Sequence, residues 1–367
     1  MKRKCLAIGI ILLFVVTAII PSTAQKIEKQ SLPTSRGNWL YVGGSGPGNY
    51  TKIQDAIDNA SNGDTVFVFA GLYMENVYVN KSVTLLGENR DTTIIDANGK
   101  GCPVDLEANN VIVNGFTLQN SGNVLYNDAG VHFKNWGDVP DSNSNRIIGN
   151  KMINNYDGIF GIYSENNYIS DNVIINNRHC GIFFLAGCTS SIIKNNTIMR
   201  NDYGVAIQDT LYVQVIENNI ENNNEIGVLL VAGGSSNDVK FNNIANNSNG
   251  IVLSGGPYGT GSNNIFSNTI AYNDEYGLIL EDAYWNKIHK NNLIENTVHA
   301  IFSYELGVKI MGFFFGRFLQ LNKFYRNYWD DHLDSQAYII KGELWWEWLN
   351  IYPNPPVFRN ITWYNFD

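Results

Sequence analysis

Acidic side chains are the first candidates for chemistry here, because an inverting glycoside hydrolase needs two carboxyl groups about 6.5–9.5 Å apart. Asp209 and Asp282 hold one position of a repeated phrase, five residues after a glycine. They lie three copies of the phrase apart, or about 14 Å if the copies stack at about 4.8 Å. The pairs Glu281-Asp282 and Asp330-Asp331 are sequence neighbours, which face opposite ways on a strand. The sequence therefore predicts no catalytic residue, and it shows no basic residue stacked on an acidic cluster, as a calcium-dependent lyase would need.

Imidazole and sulfur side chains are the second candidates, because copper and zinc sites need several of them to converge. No two histidines share a position in neighbouring copies of the phrase, and the methionines do not bring ligands together. The residues in question are His132, His179, His289, His299, His332, Met152, Met199 and Met311. We therefore expect surface histidines, no metal site and no cofactor.

Any such residue would be positioned by a repeated phrase, Asn-x-apolar-x-x-Asn. A Gly, or once an Ala, follows three or four residues later. Most copies then continue with apolar-x-apolar. Seven copies begin at spacings of 22–26 residues, at Asn150, Asn172, Asn196, Asn218, Asn242, Asn268 and Asn291. A period in the twenties without a helical segment indicates a solenoid of β-strands. A leucine-rich repeat has a similar period, but it needs Leu-rich phrases and helical segments that are absent here.

Each copy contains three short apolar pieces separated by turn residues, so it corresponds to one triangular turn of chain. Stacking such turns pairs every backbone group and buries one continuous core. Asn suits the corners because it tolerates left-handed backbone angles and binds neighbouring backbone groups, and stacked Asn side chains can form a ladder. The glycines after the second Asn, such as Gly158 and Gly181, predict corners where a side chain would be crowded. The sequence predicts an all-β, single-domain parallel β-helix of about 10 turns.

The N-terminal region divides into three parts before the solenoid. Residues 1–24 resemble a signal peptide, with basic residues, an apolar run and a small-residue site at Ser22-Thr23-Ala24. The alternative is an uncleaved anchor, which would be the chain's one membrane contact. Residues 25–44 are predicted to be a linker. Residues 45–62 are predicted to hold a strand and a capping helix, opened by a capping box at Thr51–Gln54.

The C-terminal region interrupts the repeat and then resumes it. The β-helix is predicted over residues 63–303, and residues 304–321 form an apolar insertion. Residues 322–367 begin with a last turn, because Asn322–Trp329 closely repeats Asn286–Leu293. They continue as an aromatic cap that includes Trp345 and Trp363.

Composition excludes several classes of protein. The formal net charge is −9, and polarity comes from 53 Asn residues while charged residues make up only 16%. Without a basic stripe the chain has no footprint for phosphates, so we expect no nucleic-acid partner. Three cysteines follow the leader, Cys102, Cys180 and Cys188, and an odd count without a dense pattern predicts buried thiols.

The residues that form the turns resemble a known family. Tyr41–Gly46, Gly63–Val66, Tyr73–Val77 and the final Asn327–Asp331 are similar to segments of secreted right-handed parallel β-helix proteins with the pectin-lyase-like fold, PbH1 repeats and the NosD-like or CASH-type domain. The resemblance covers about residues 39–331 and implies a right-handed coil. It is specific for fold and weak for function, because the matching residues are those that build turns. Members include polysaccharide lyases, hydrolases, epimerases and a copper-site accessory protein.

An outward row of apolar residues is the clearest candidate interaction surface. In the piece after each glycine the first and third residues are predicted to face inward and the second outward. The outward residues are Phe160, Phe183, Ala206, Leu229, Val252, Ile279 and Phe302. A row about 29 Å long would be an unusually large exposed apolar patch. We therefore expect part of it to be covered within the chain and part to mediate self-association or partner binding.

The sequence also contains Asn-x-Ser/Thr sequons. Candidate glycan sites are Asn49, Asn59, Asn80 and Asn360, while Asn195 and Asn246 lie at repeat corners where they can serve a structural purpose. These observations predict a secreted or cell-surface β-helix protein that binds a polysaccharide or another cell-envelope component. The alternatives are a carbohydrate-active enzyme of the pectin-lyase type and, less favoured, a copper-accessory role.

Overall fold

A computed structural model describes residues 37–134, 142–255, 259–307, 322–329, 339–347 and 359–364. All of them belong to one compact unit, Ser35–Asp367. Three long sheets run along it, and successive strands of the chain visit them in turn. The fold is thus the predicted parallel β-helix, with about 11 turns.

Sheet A holds 12 parallel strands. They are Trp39–Val42, Thr65–Val68, Thr84–Gly87, Ile112–Asn114, Arg146–Ile148, Tyr168–Ser170, Ile192–Lys194, Gln214–Ile216, Asp238–Lys240, Asn264–Phe266, Lys287–His289 and Lys323–Tyr325. Its first strand lies within residues 25–44, so the end of the predicted linker is wrong and the solenoid starts earlier.

Sheet B holds 11 parallel strands, which follow sheet A after one corner. They are Gly71–Tyr73, Thr93–Asp96, Thr117–Gln119, Lys151–Ile153, Val173–Ile175, Thr197–Met199, Asn219–Glu221, Asn243–Ala245, Thr269–Ala271, Asn292–Ile294 and Tyr328–Trp329. Thr260–Gly261 and Ala283–Tyr284 form a separate small sheet of two strands.

Sheet C holds the longest strands and carries the candidate site described below. They are Val77–Val79, Val104–Leu106, Ala129–Phe133, Asp157–Ile162, Cys180–Leu185, Tyr203–Gln208, Ile226–Val231, Asn249–Ser254, Tyr276–Glu281, Val298–Gly307, Ile339–Glu347 and Arg359–Tyr364. The last of these pairs antiparallel and lies at the edge of the sheet, whereas the others pair parallel.

The core consists of inward rows that run up the stack. Ile198, Ile220 and Ile244 pair in register and are fully buried, as predicted from the repeat. The residues one and three after each glycine, such as Val228 and Leu230, are also fully buried. β-branched and Leu side chains fill these rows because stacked turns place equivalent residues directly over one another.

Asn ladders hold the corners, which confirms the predicted role of Asn. At the corner between sheets A and B, the Asn196 backbone N–H donates to Asn218 Oδ1 at 2.9 Å, and Asn196 Nδ2 donates to the same oxygen at 3.0 Å. Asn218 Nδ2 donates in turn to the Ile193 carbonyl at 2.9 Å. The Asn218 side chain therefore satisfies an N–H and a carbonyl of the preceding turn, and its Nδ2 also donates to Asn242 Oδ1 of the following turn at 3.0 Å, so the buried amide is fully paired.

The predicted crowding at the glycine corners is confirmed at Gly181. A Cβ at this position would lie 2.5 Å from Ile198 Cγ2 and 2.6 Å from the Gly204 carbonyl oxygen. Neither neighbour can withdraw, because one belongs to the core row and the other to the backbone of the next turn. The repeat therefore needs glycine here to bring sheet C close to the core.

The N-terminal helix spans Ile53–Asn59 and buries Ile53, Ala56 and Ile57, but the predicted capping box is wrong. Lys52 is the N-cap residue and makes no side-chain capping bond. The Glu75 carboxylate instead accepts the backbone N–H groups of Ile53 and Gln54, at 3.0 and 3.1 Å. A carboxylate from the following turn thus satisfies the first helical donors, which a local motif cannot reveal.

At the C-terminal end, sheet C continues to Gly307, four residues into the predicted insertion. The rest of the insertion, residues 308–321, and the aromatic residues Phe313–Phe315 lie outside the described residues. The predicted last turn is confirmed, because Lys323–Tyr325 pairs with Lys287–His289. The signal segment and the loop at 135–141 also lie outside the description, and no described helix has the length and apolarity to cross a membrane.

Candidate functional site

Three residues of different chemistry meet on the outer side of sheet C at the starts of two paired strands. Asp157 opens the strand Asp157–Ile162, and Cys180 opens the strand Cys180–Leu185 beside it. His179 immediately precedes Cys180. The Cys180 backbone N–H donates to Asp157 Oδ1 at 2.9 Å, so pairing of the strands places the carboxylate directly beside the thiol.

The three side chains form one connected cluster. His179 Nδ1 lies 2.8 Å from Asp157 Oδ1, and His179 Nε2 lies 3.8 Å from Cys180 Sγ. An ionised carboxylate can only accept hydrogen bonds, so Asp157 fixes His179 Nδ1 as the donor and leaves Nε2 facing the thiol. Asp157 Oδ2 is buried and has no hydrogen-bond partner.

Burial sets the charge states of the cluster. Asp157 is fully buried, and this burial raises the pKa of its carboxyl group against the opposing effect of the His179 hydrogen bond and charge. Burial lowers the pKa of His179, but the hydrogen bond and charge of Asp157 outweigh it and leave that pKa raised. Burial also raises the pKa of the Cys180 thiol well above its ordinary value, so the thiol holds its proton at neutral pH.

Aromatic rings surround the imidazole of His179. The Tyr156 ring stacks on it at 5.3 Å between ring centroids, and the rings of Tyr203 and Phe183 approach edge-on at 5.6 and 5.8 Å. A hydrogen bond to Glu225 and burial raise the pKa of Tyr203, which keeps its hydroxyl protonated. The side chain of His179 is 25% exposed, so solvent reaches the cluster through this ring.

A second cluster lies nearer the N-terminus on the same sheet. His132 Nδ1 contacts Asp105 Oδ1 at 3.0 Å, and His132 Nε2 is buried without a partner. Cys102 completes the group, but its sulfur donates to the Asn127 carbonyl at 3.1 Å and accepts the Ala129 N–H at 3.2 Å. This thiol is therefore already engaged by backbone.

The structure corrects the expectation of surface histidines. His132 and His299 are buried, at 1% and 2% exposure. The ring of His132 lies 5.2 Å from that of Phe160, and the ring of His299 lies 6.0 Å from that of Trp329 on sheet B. His179 and His289 are partly exposed, and His332 lies outside the described residues. Cys102, Cys180 and Cys188 are buried free thiols, as predicted.

The predicted acids do not converge in the described part of the chain. Asp209 is exposed and Asp282 is half-buried, and the strands before them are separated by two intervening strands of sheet C. Both residues adopt left-handed backbone angles, with φ of 48° and 46°, so they occupy equivalent turn positions. Asp330-Asp331 lies outside the described residues.

The outward apolar row exists, but Phe302 does not belong to it. Ile279 pairs with Ile301, whereas Phe302 pairs with Leu280 and is buried in the core. The corner glycine of the preceding turn, Gly277, lies opposite His299. The sequence had aligned Gly277 with Ala300, so the predicted alignment was one residue too long. The large Phe302 side chain lies inside, where its apolar surface is removed from water.

The row is also largely covered. Phe160, Phe183 and Val252 are 0%, 5% and 6% exposed, while Leu229 and Ile279 remain partly exposed. The ring of Tyr126, from the loop before the strand Ala129–Phe133, lies 6.2 and 6.1 Å from those of Phe160 and Phe183. The expected internal cover thus comes from an N-terminal loop, a candidate that the sequence did not suggest.

The candidate glycan sites differ in accessibility. Asn59 and Asn80 are exposed and Asn49 is partly exposed, while the side chain of Asn360 is outside the description. Nδ2 of Asn49 donates to the Gly43 carbonyl at 2.6 Å and Nδ2 of Asn59 to the Asp55 carbonyl at 2.8 Å. Asn195 and Asn246 are exposed and hold left-handed corner angles. Glycosylation itself remains a prediction.

The fold and its ladders define the class first: this is a parallel β-helix protein. The chain matches the model of a family described as periplasmic copper-binding protein (NosD) over residues 57–257 and 234–309. This match covers more than half of the chain, which therefore belongs to the NosD family.

Solved structures with the same fold include two modules from Azotobacter vinelandii. The chain superposes on the mannuronan C-5 epimerase AlgE4 A-module with a TM-score of 0.54 and 16% identity, covering 75% of this chain and 90% of that one. For the AlgE6 A-module the TM-score is 0.52 with 14% identity, over 76% and 89%. The Dettilon tailspike protein (gp208) gives 0.51 with 17% identity, over 72% and 68%. At these identities the likeness shows the fold alone.

Curated relatives match over short stretches. A cell surface glycoprotein of Methanothermus fervidus is 39% identical over 80 residues, which is 21% of this chain and 13% of that protein. A probable pectinesterase/pectinesterase inhibitor 6 of Arabidopsis thaliana is 29% identical over 119 residues, or 28% of this chain and 21% of that protein. The chain thus spans only a small part of the length of these relatives.

Proposed function

We propose that this chain is an exported or cell-surface β-helix protein that binds a polysaccharide of the cell envelope on the outer side of sheet C around His179. The observation that carries the proposal is the cluster of Tyr126, Tyr156 and Tyr203 beside hydrogen-bonding side chains. The family description of a periplasmic protein and the cell surface glycoprotein among the relatives support the location. The mannuronan epimerases among the structural neighbours act on a polysaccharide, by their names, with the same fold.

Sugars need both kinds of surface that this face offers. Their C–H faces pack on aromatic rings, and Tyr126 is 42% exposed for such a contact. Their hydroxyl groups need donors and acceptors at the rim. Arg178 Nη1 donates to Asn123 Oδ1 at 2.9 Å, and Asn224 Nδ2 donates to Asp202 Oδ1 at 2.8 Å. These polar pairs are held in place but remain at the surface.

A second candidate function is an enzyme acting on the same polysaccharide. The observation that favours it is the imidazole of His179, which Asp157 orients through Nδ1 as a general base would require. Against it, Asp157 is fully buried, so it is not placed to act on a substrate itself. We therefore favour binding without cleavage, as the separation of Asp209 from Asp282 also suggests.

The test is a binding assay paired with a cleavage assay. Binding of the full chain to alginate, polygalacturonate, a neutral glucan and peptidoglycan glycan strands would be measured by affinity electrophoresis and calorimetry. We expect binding of at least one polymer, weakened roughly tenfold or more by Tyr126→Ala with Arg178→Ala, which corresponds to about 1.4 kcal/mol. A matched control is Asn219→Ala with Asn243→Ala on the outer side of sheet B.

Equal binding by the two double variants would place the binding surface elsewhere and contradict the proposal. Failure of every polymer to bind would contradict it as well. Release of unsaturated or reducing ends by the wild type, lost in His179→Ala, would establish the enzyme instead.

A further inference from the structure

The cluster of Asp157, His179 and Cys180 has the composition of a metal site. A carboxylate oxygen, a ring nitrogen and the sulfur all lie within 4.8 Å of one another. Tetrahedral coordination at the usual bond lengths of about 2.0 Å to nitrogen and 2.3 Å to sulfur places those two atoms about 3.5 Å apart. One nitrogen of His179 and the Cys180 sulfur lie within 4.8 Å of each other, so modest side-chain rotations bring them to this separation.

One oxygen atom of the cluster is not satisfied by any hydrogen bond within the protein. Asp157 Oδ2 is buried and has no hydrogen-bond partner, although an unsatisfied buried carboxylate oxygen is costly. The protein retains this cost in a residue that strand pairing holds fully buried. A cation beside the carboxylate would remove it.

The mixed donor set indicates the kind of ion. The family description names copper, and Cu⁺ prefers several thiolate or thioether sulfurs. Among the described methionines, Met74 follows the sheet B strand Gly71–Tyr73, Met152 is buried in the core and Met199 lies on sheet B, so none of the three joins this thiol. One thiolate, one imidazole and one carboxylate suit Zn²⁺, which is often held by three protein ligands with a fourth position open.

We propose that Asp157, His179 and Cys180 bind one Zn²⁺ ion on the outer side of sheet C. On binding, the Cys180 thiol releases its proton to solvent. The ion takes the position of the Nδ1 proton between Asp157 Oδ1 and His179. The imidazole exchanges that proton through solvent for one on Nε2 and so binds through Nδ1 as a neutral ligand, and no oxidation or reduction is involved. Tyr156, Tyr203 and Phe183 form the surrounding shell that limits solvent access. This inference does not depend on polysaccharide binding.

The experiment uses the full chain, freed of metal under reducing conditions, with Co²⁺ as the spectroscopic probe for Zn²⁺. We expect one equivalent of Co²⁺ to produce a thiolate-to-cobalt charge-transfer band, and one equivalent of Zn²⁺ to abolish it. Cys180→Ser removes the band, and His179→Gln weakens Co²⁺ binding at least tenfold. Cys188→Ser is the matched control, because this buried thiol contacts the Leu185 carbonyl and lies in the core.

Three results would overturn the proposal. One is a band that persists in Cys180→Ser but disappears in Cys102→Ser, which would assign the ion to the second cluster. Another is the lack of any charge-transfer band in a folded wild type. The third is stoichiometric Cu⁺ binding at Cys180 that Zn²⁺ cannot compete with. If Cys180→Ser does not fold, protection of Cys180 from alkylation by Zn²⁺ in the wild type gives the same decision.

Discussion

His289 shows how a single side chain is set by the stack. Its ring lies between those of Phe266 and Tyr325, at centroid distances of 5.1 and 4.5 Å and nearly parallel to both. Its Nε2 lies 3.0 Å from Asn264 Oδ1. Burial lowers the pKa of His289, and the positive charges of Lys290 and Lys287 add to this effect. The neutral imidazole is therefore the form that the fold accepts.

This residue predicts a pH dependence of stability. The pKa of His289 is lower in the folded state than the unfolded value of about 6.5, so its stabilising contribution is present above that pH. It is lost as the pH falls through the folded-state pKa. We expect the urea midpoint of the wild type to fall more steeply between pH 8 and pH 5 than that of His289→Phe, which keeps the ring stack. Parallel pH profiles for the two proteins would show that His289 is not the titrating group.

At the scale of the element, each turn is held by its core row and by the Asn residues at its corners. Ile220 lies between Ile198 and Ile244 and is fully buried. Asn223, at the next corner, donates to Asn247 Oδ1 at 2.9 Å and to the Ile198 carbonyl at 3.3 Å. Apolar packing and amide hydrogen bonds therefore act between the same pairs of turns.

Removing one core side chain tests this arrangement. Ile220→Ala is expected to lower the free energy of unfolding by roughly 2–5 kcal/mol, because it loses buried apolar surface and leaves a cavity in a row that cannot collapse. Chemical denaturation measures the change. Asn219→Ala, one residue away on the outer side, serves as the comparison and should change little. A loss below about half a kcal/mol for Ile220→Ala would contradict its place in the core.

At the scale of the whole molecule, the outward apolar row of sheet C is the candidate surface for contact with other molecules. Tyr126 covers the N-terminal end of the outward row, but Leu229, Ile279 and Ile301 remain partly exposed. These three residues and Val252 form a continuous apolar strip on four neighbouring strands of sheet C. Such a strip is a candidate interface, shorter than the sequence predicted.

We expect the protein to self-associate through this strip. Leu229→Lys with Ile279→Lys should shift the sedimentation profile to monomer without changing the circular dichroism spectrum, since buried charge at an interface is costly. Asn219→Lys with Asn243→Lys adds the same charge to sheet B and should leave association unchanged. A monomeric wild type that binds no hydrophobic dye would show that the strip is not an interface.

The sequence by itself determined the fold, because its information is periodic. Each turn repeats the same inward and outward positions, so the register of Ile198, Ile220 and Ile244 followed from spacing alone. The corner ladders followed from the recurrence of Asn for the same reason. The repeat also predicted which residues of sheet C face outward, apart from the turn containing Phe302, where no glycine marks the corner.

Tertiary structure alone decided what the outer side of sheet C contains. Asp157 and Cys180 each precede the corner glycine by one residue, and His179 precedes it by two. A comparison of all residue types at those two positions in neighbouring copies would have identified this cluster. A comparison of the histidine positions alone could not, because the cluster contains a single histidine. The Glu75 cap and the cover by Tyr126 join residues from different turns that share no repeated position. Repetition fixes the backbone, but contacts between unlike residues depend on which side chains the stack brings within reach.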